Sequence, residues 1–237
     1  MSTNYDCIAI GAHPDDVEVG AGGVLIKLHD QGYRTGIIIL TRGEMGTGGT
    51  PELREKEIVD AAGIMGADIL ATLNLGDTRL VDTPDNRLTL AELLQEHRPR
   101  MLLAPYWTGG HGKRAGHPDH LAAGQIAMNA VNYASLVKAP TNSEVHRVPA
   151  LYHFFLPPGV MPTFVVDITD QYDRWLGTLK AHASQFQNPK KPKDYIWTLE
   201  TLARYYGALI GVKYGQGFII GEPMHIDDPM KLLPASD

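Results

Sequence analysis

The residues Ile37-Ile38-Ile39-Leu40 form a continuous apolar run with no polar side chain on either face. Such a run suits a parallel strand covered by helices on both sides; a strand with one wet face would alternate. Similar short runs recur. Cys7-Ile8-Ala9-Ile10 lies within a strand expected over residues 5–11, residues 69–73 read as another, and Met101-Leu102-Leu103-Ala104 as a fourth. Between them the spacing turns helical. Val24, Leu25 and Leu28 share one face of a helix expected over 22–30. Thr50 is a good N-cap, with Pro51 at the first helical position and Glu52 and Glu55 at the positive end. That helix shows Ile58, Ala61, Ala62 and Met65 at helical spacing and stops at Gly66. A further helix is expected from about Thr89 to His97, ahead of Pro99. The order βαβαβαβ demands right-handed crossovers. The fold class is therefore α/β, a Rossmann-like, mostly parallel sheet with helices on both faces.

Beyond about Pro140 the pattern loosens into an irregular C-terminal part. Strands are expected over 151–156, 164–168 and 217–220, and helices over 171–186 and 200–209. Residues 188–193 (NPKKPK) read as a solvated loop. With no internal repeat, low-complexity tract or linker, residues 1–237 are expected to form a single domain.

Composition narrows the class of function. A 43% hydrophobic and 20% charged chain is ordinary for a soluble globular protein, and a net charge of −6 disfavours nucleic acid as partner. No stretch is apolar enough to span a bilayer, and Asp6 and Asp15 interrupt the region where a signal sequence would lie. The expectation is a cytoplasmic protein with no membrane partner. The single cysteine, Cys7, falls inside the first strand and reads as a buried structural thiol.

Two segments carry chemistry: His13-Pro14-Asp15-Asp16 after the first strand, and His117-Pro118-Asp119-His120 after the strand at 101–104. If both strands are parallel, both segments hang from the carboxyl edge, where open α/β sheets bind ligands. His13 and Asp16 can turn to one point on their loop. Pro118 opens a helix through Leu121, Ala123 and Ala127, which makes His117 and His120 i, i+3 neighbours. Two imidazoles and a carboxylate with one open position describe a catalytic zinc site. The chemistry alone leaves open which of His117 and His120 is the ligand. Asp15 is the natural base, and a histidine off the metal, oriented by Asp119, could serve as acid or oxyanion donor.

Competing readings carry less weight. A lone HPD segment most often caps a helix, but two at predicted strand ends favour a metal site. Gly20 to Gly23 (GAGG) is not the dinucleotide fingerprint and comes too late after the strand. Close helix–sheet packing, or a ligand approaching bare backbone, explains it better. Two His and a carboxylate also describe non-haem Fe(II) oxygenases, which the α/β pattern and the extra carboxylates disfavour. A non-enzymatic sugar- or nucleotide-binding module would need a closed structural metal site, usually cysteine-rich.

AHPDD, GAGG, TRGE, GTPELREKE and the distal HPDH together resemble the LmbE-like zinc N-deacetylases, the PIG-L superfamily. The branch most resembled is the N-acetylglucosaminyl malate deacetylase of bacillithiol biosynthesis. His182-Ala183-Ser184-Gln185-Phe186 and the tail Tyr206-Gly207, Gly211-Val212, Tyr214, Gly217-Phe218 resemble that branch as well. The resemblance implies His13, Asp16 and His120 as ligands of Zn2+, with Fe2+ as an alternative occupant in the cell. It implies Asp15 as general base, His117 as the histidine that stabilises the oxyanion or protonates the leaving amine, and Asp119 as its orienter. Arg54 would bind substrate, the plainer reading being a helix-surface ion pair with Glu57 at i+3. The partner implied is a small sugar conjugate, and the assembly a homo-oligomer. Alternative substrates are mycothiol-like conjugates, chitooligosaccharides, GlcNAc-lipids or thiol-conjugate amides. The chain departs from the resemblance at Gly116, where those enzymes carry Arg directly before HPDH, and it lacks the tyrosine that mycothiol deacetylases carry near Ala115. Lys113 or Arg114 could supply the missing cation for a malate carboxylate, and His111 reads as a solvated loop residue.

Overall fold

A computed structural model describes residues 4–108, 116–187 and 194–232. Among the described residues, seven strands form one sheet in the order β3-β2-β1-β4-β5-β7-β6. β1 (Cys7–Gly11), β2 (Thr35–Ile39), β3 (Asp68–Thr72), β4 (Met101–Pro105) and β5 (Ala150–Phe154) run parallel. β7 (Gly215–Ile220) inserts antiparallel between β5 and β6 (Phe164–Asp167). The C-terminal part continues the same sheet, with β7 as its one reversed strand among the described residues.

The apolar runs are covered on both faces. Cys7, Ala9, Ile37, Ile39 and Leu103 pack with α1 (Asp16–Asp30), α2 (Pro51–Met65) and α5 (Tyr172–Ala181). Their neighbours Ile8, Ile10, Ile38, Leu102 and Ala104 face α3 (Pro84–His97) and α4 (Pro118–Ala134). Alternate residues of one run thus enter two cores. Cys7 is buried, and burial pushes its thiol up, away from reactivity.

The local signals fix the helix ends. Thr50 Oγ accepts from Leu53 N–H and Gly66 closes α2 in the left-handed conformation. α3 starts five residues before the expected Thr89, because Thr83 and Pro84 repeat the cap-and-proline signature of α2. α1 starts at Asp16, six residues before the expected start, since its glycines serve packing. A Cβ on Gly20 would sit 2.1 Å from the Phe154 ring, and one on Gly23 2.8 Å from Ile168. The helix expected over 171–186 is broken at His182 into α5 and the short α6 (Ala183–Phe186), and α7 covers Tyr195–Leu209. The loop at 188–193 lies outside the described residues.

The chain leaves β1 toward β2 and β3 on one side and later returns to place β4 on the other. That reversal is a topological switch point, and both HPD segments open at its carboxyl edge.

Candidate active site

A pocket of about 440 Å³ lies at this edge, lined among others by His13, Asp15, Asp16, Arg54, His117 and His120. The two segments predicted from the sequence meet there.

Asp16 stands at their junction. Its Oδ1 is 3.0 Å from His120 Nε2, and its Oδ2 is 3.5 Å from His13 Nδ1 while accepting the His13 N–H at 2.8 Å. Burial works against ionisation of Asp16, but His120 and His13 outweigh it and hold the carboxyl well below its usual range. Ligand atoms of His13, His117 and His120 lie within 4.8 Å of one another. Imidazoles converging on a buried carboxylate fit a divalent transition metal.

The far nitrogen of His13 is also engaged. Its Nε2 lies 3.2 Å from Asp77 Oδ1 and 3.3 Å from Asp119 Oδ2. Burial lowers His13, yet the hydrogen bonds to Asp119 and Asp16 raise it to about 10. A carboxylate behind a histidine ligand fixes its tautomer and orientation. This relocates Asp119: its carboxylate bonds His13 and the Thr78 N–H, the latter at 2.6 Å. Its contact with His117 is through the backbone, Asp119 N–H donating to His117 Nδ1 at 3.3 Å.

That backbone bond sets the His117 tautomer. Burial lowers its pKa, helped by His13 and His120, which favours the neutral ring. With Nδ1 accepting, the ring proton sits on Nε2. His117 itself caps α4 and follows Gly116, whose φ of 70° turns the chain into the site. Glycine adopts that conformation without the steric cost a side chain would bring.

Asp15 precedes α1 with φ 137°, and its carboxylate meets Arg54 Nη2 at 3.2 Å. Burial raises the Asp15 carboxyl and Asp16 adds to this, while Arg54, His182 and His13 oppose. Arg54 is only 4% exposed. Its Nη1 donates to Gly43 O at 2.9 Å and its Nη2 to Pro14 O at 2.9 Å. A Cβ on Gly43 would fall 2.0 Å from Nη1, so only glycine leaves room. Arg54 lines the pocket but spends its terminal nitrogens on the protein. It does not pair with Glu57, which instead accepts from Ser184 N–H and Oγ–H. Arg114, Lys113 and His111 lie outside the described residues.

Asp77, Thr78, Phe155 and Tyr195 line the pocket without having been singled out from the sequence, whereas Gln185 and Phe186 come from the 182–186 motif. Phe155 stacks on His120 with ring centroids 5.0 Å apart. Burial raises the Tyr195 phenol, with the charges of Asp15 and Asp16 adding to it. Positive φ at Asp15, Thr78 and Phe155 concentrates backbone strain at the pocket. For Asp77 and Thr78 the available signal was Gly76-Asp77, a turn just past β3 at the same sheet edge.

Residues 8–131 match the family model PIG-L, described as GlcNAc-PI de-N-acetylase. The chain belongs to the PIG-L family. It is 32% identical over 239 residues to the diacetylchitobiose deacetylase of Thermococcus kodakarensis, covering 92% of this chain and 85% of that one. Conserved protein TT1542 of Thermus thermophilus superposes with a TM-score of 0.84 at 39% identity, over 94% of this chain and 97% of that one. The N,N'-diacetylchitobiose deacetylase of Pyrococcus horikoshii, solved with its inhibitor MPG, gives 0.79 at 29% identity, over 96% and 88%. This PIG-L chain is accordingly a deacetylase, a hydrolase of amide bonds. No described helix is long and apolar enough to cross a membrane.

Proposed function

We propose that this protein is a zinc-dependent N-deacetylase of small GlcNAc-containing saccharides, with N,N'-diacetylchitobiose as the substrate tried first. The observation that carries the chemistry is Asp16 lying between His13 and His120, with Asp15 beside it. His13, Asp16 and His120 would hold the ion. When bound, it supplies an acid that polarises the acetyl carbonyl and makes water a better nucleophile.

The chain's own groups do the rest. Asp15, kept beside Arg54, accepts the proton of the attacking water as the new C–O bond forms. His117 offers Nε2–H to the oxygen that gains negative charge. The C–N bond then breaks, the proton held at Asp15 passes to the leaving nitrogen, and acetate and a free amine result.

Two facts favour a neutral saccharide over a malate conjugate. The relative matched over 92% of the chain is named for diacetylchitobiose. Among the described lining residues the only Lys or Arg is Arg54, whose terminal nitrogens are taken. The second reading, N-acetylglucosaminyl malate, rests on Lys113 and Arg114 just ahead of His117. Acetate release should be measured from both substrates and from free N-acetylglucosamine, with zinc-loaded protein. Preference for the disaccharide supports the proposal, and preference for the malate conjugate moves it to the second reading. No release from any, with zinc bound, rejects both. Residence in the cytoplasm and homo-oligomerisation belong to the same proposal; fractionation and light scattering test them.

A further inference from the structure

The first turn of α1 carries two carboxylates at capping positions, and neither caps the helix. Asp15 is the N-cap residue but makes no side-chain cap hydrogen bond. Glu18 stands three residues on, where a glutamate ordinarily reaches back to the N-cap backbone N–H. It turns into the core instead. Glu18 and His182 are both fully buried, with Oε1 and Nε2 3.2 Å apart and no aligned hydrogen bond across the pair. Burial lowers His182, but Glu18, Asp15 and Glu57 together outweigh it and keep the imidazole above its ordinary range.

His182 is itself held firmly. It breaks the chain between α5 and α6, and its carbonyl accepts the N–H groups of Gln185 and Phe186 at 2.9 and 3.0 Å. Ser184 bonds Glu57 on α2, and Gln185 Nε2 donates to Gly48 O at 2.7 Å. The corner is thus tied to α2 and the loop before it, while its histidine grips α1. Removing that grip would leave Glu18 an uncompensated buried carboxylate. The group that a glutamate at this helical position ordinarily reaches is the N-cap backbone N–H.

We infer that His182 is a positioning residue: by drawing Glu18 into the core it keeps the first turn of α1 uncapped and leaves Asp15 facing the pocket. The φ of 137° at Asp15 is the conformation so maintained. Strain of this kind persists only where the surroundings over-determine it. The restraints here are Arg54 on the Asp15 side and His182 one helical turn further on.

The inference rests on Asp15 being the base, and the test separates the two. The variants are His182→Gln, Glu18→Gln, Glu18→Ala and Asp15→Asn, assayed for kcat, KM, bound zinc and Tm, with the buried Leu179→Ala as a stability control. A misplacement of about 1 Å can cost roughly 10²-fold in rate. H182Q and E18Q should therefore lose about tenfold or more in kcat, with KM within about threefold and zinc retained. Glutamine caps as well as glutamate does, whereas alanine cannot. E18A should consequently keep more kcat than E18Q, although Gln is the closer mimic. A purely structural role reverses that order and overturns the inference, as does H182Q at wild-type kcat or L179A losing rate in step with Tm. If D15N retains turnover, the reading of Asp15 fails, and this inference with it.

Discussion

Arg54 and Asp15 form an ion pair of 3.2 Å in which the arginine is nearly excluded from solvent and the carboxylate opens onto the pocket. The guanidinium also reaches Gly43 O and Pro14 O, so one planar group ties together the two loops flanking the site. Lysine offers a point charge and cannot span three oxygens at once. Arg54→Lys should lower kcat by about 10²-fold, with a smaller change in KM. A substrate-gripping arginine would show the opposite split, which steady-state kinetics on the deacetylation reaction will reveal.

Asp119 bonds His13 rather than His117 through its carboxylate, and this relation predicts where damage appears. Loss of a carboxylate behind a metal-bound histidine typically weakens metal affinity by roughly 10–100-fold. Asp119→Ala should therefore bind zinc more weakly in competition with a chromophoric chelator. At saturating zinc much of its turnover should return. Full affinity with lost turnover would instead assign Asp119 to His117.

Much of this site was legible because its residue types and spacing are set by chemistry. His13, Asp15 and Asp16 follow β1, and His117, Asp119 and His120 open α4, as their prolines and the apolar runs imply. The parallel core was readable for the same reason, since Ile37 to Ile39 must be covered on both faces. The antiparallel placement of β7 was not, because hydrophobic pattern carries no strand direction. Asp77 escaped because a lone aspartate in a turn has many ordinary uses; only the closeness of β3's loop to His13 gives it this one. Arg54 was placed at the site from its motif, but its burial depends on Gly43, eleven residues away.

Thr78 has φ 65°, a left-handed conformation unfavourable to a β-branched residue. It is held there while its N–H meets Asp119 at 2.6 Å. Glycine would adopt the same backbone without that cost and keep the N–H. Thr78→Gly should leave Tm unchanged or raise it by the equivalent of about 1 kcal/mol, against the usual penalty for introducing glycine. A clear fall in Tm on thermal melting would mean that the threonine side chain outweighs the strain.

His153 predicts how stability responds to acid. It sits buried on β5, with Nδ1–H donating to Pro105 O at 2.9 Å and its ring 4.3 Å from that of Trp107. Burial lowers its pKa to about 4 from 6.5, although the bond to Pro105 opposes the shift. As pH falls through 6.5 the unfolded chain takes up a proton there, while the folded chain does not until about pH 4. Stability from this group is therefore complete above about pH 6.5 and is lost progressively down to about pH 4, a difference on the order of 3 kcal/mol. His153→Phe keeps a ring of similar shape and cannot titrate. Denaturant unfolding of both proteins across this range should show the wild type losing stability faster on acidification, with the gap between the two curves ceasing to change below about pH 4. Parallel curves throughout would mean that burial does not hold His153 neutral in the folded protein.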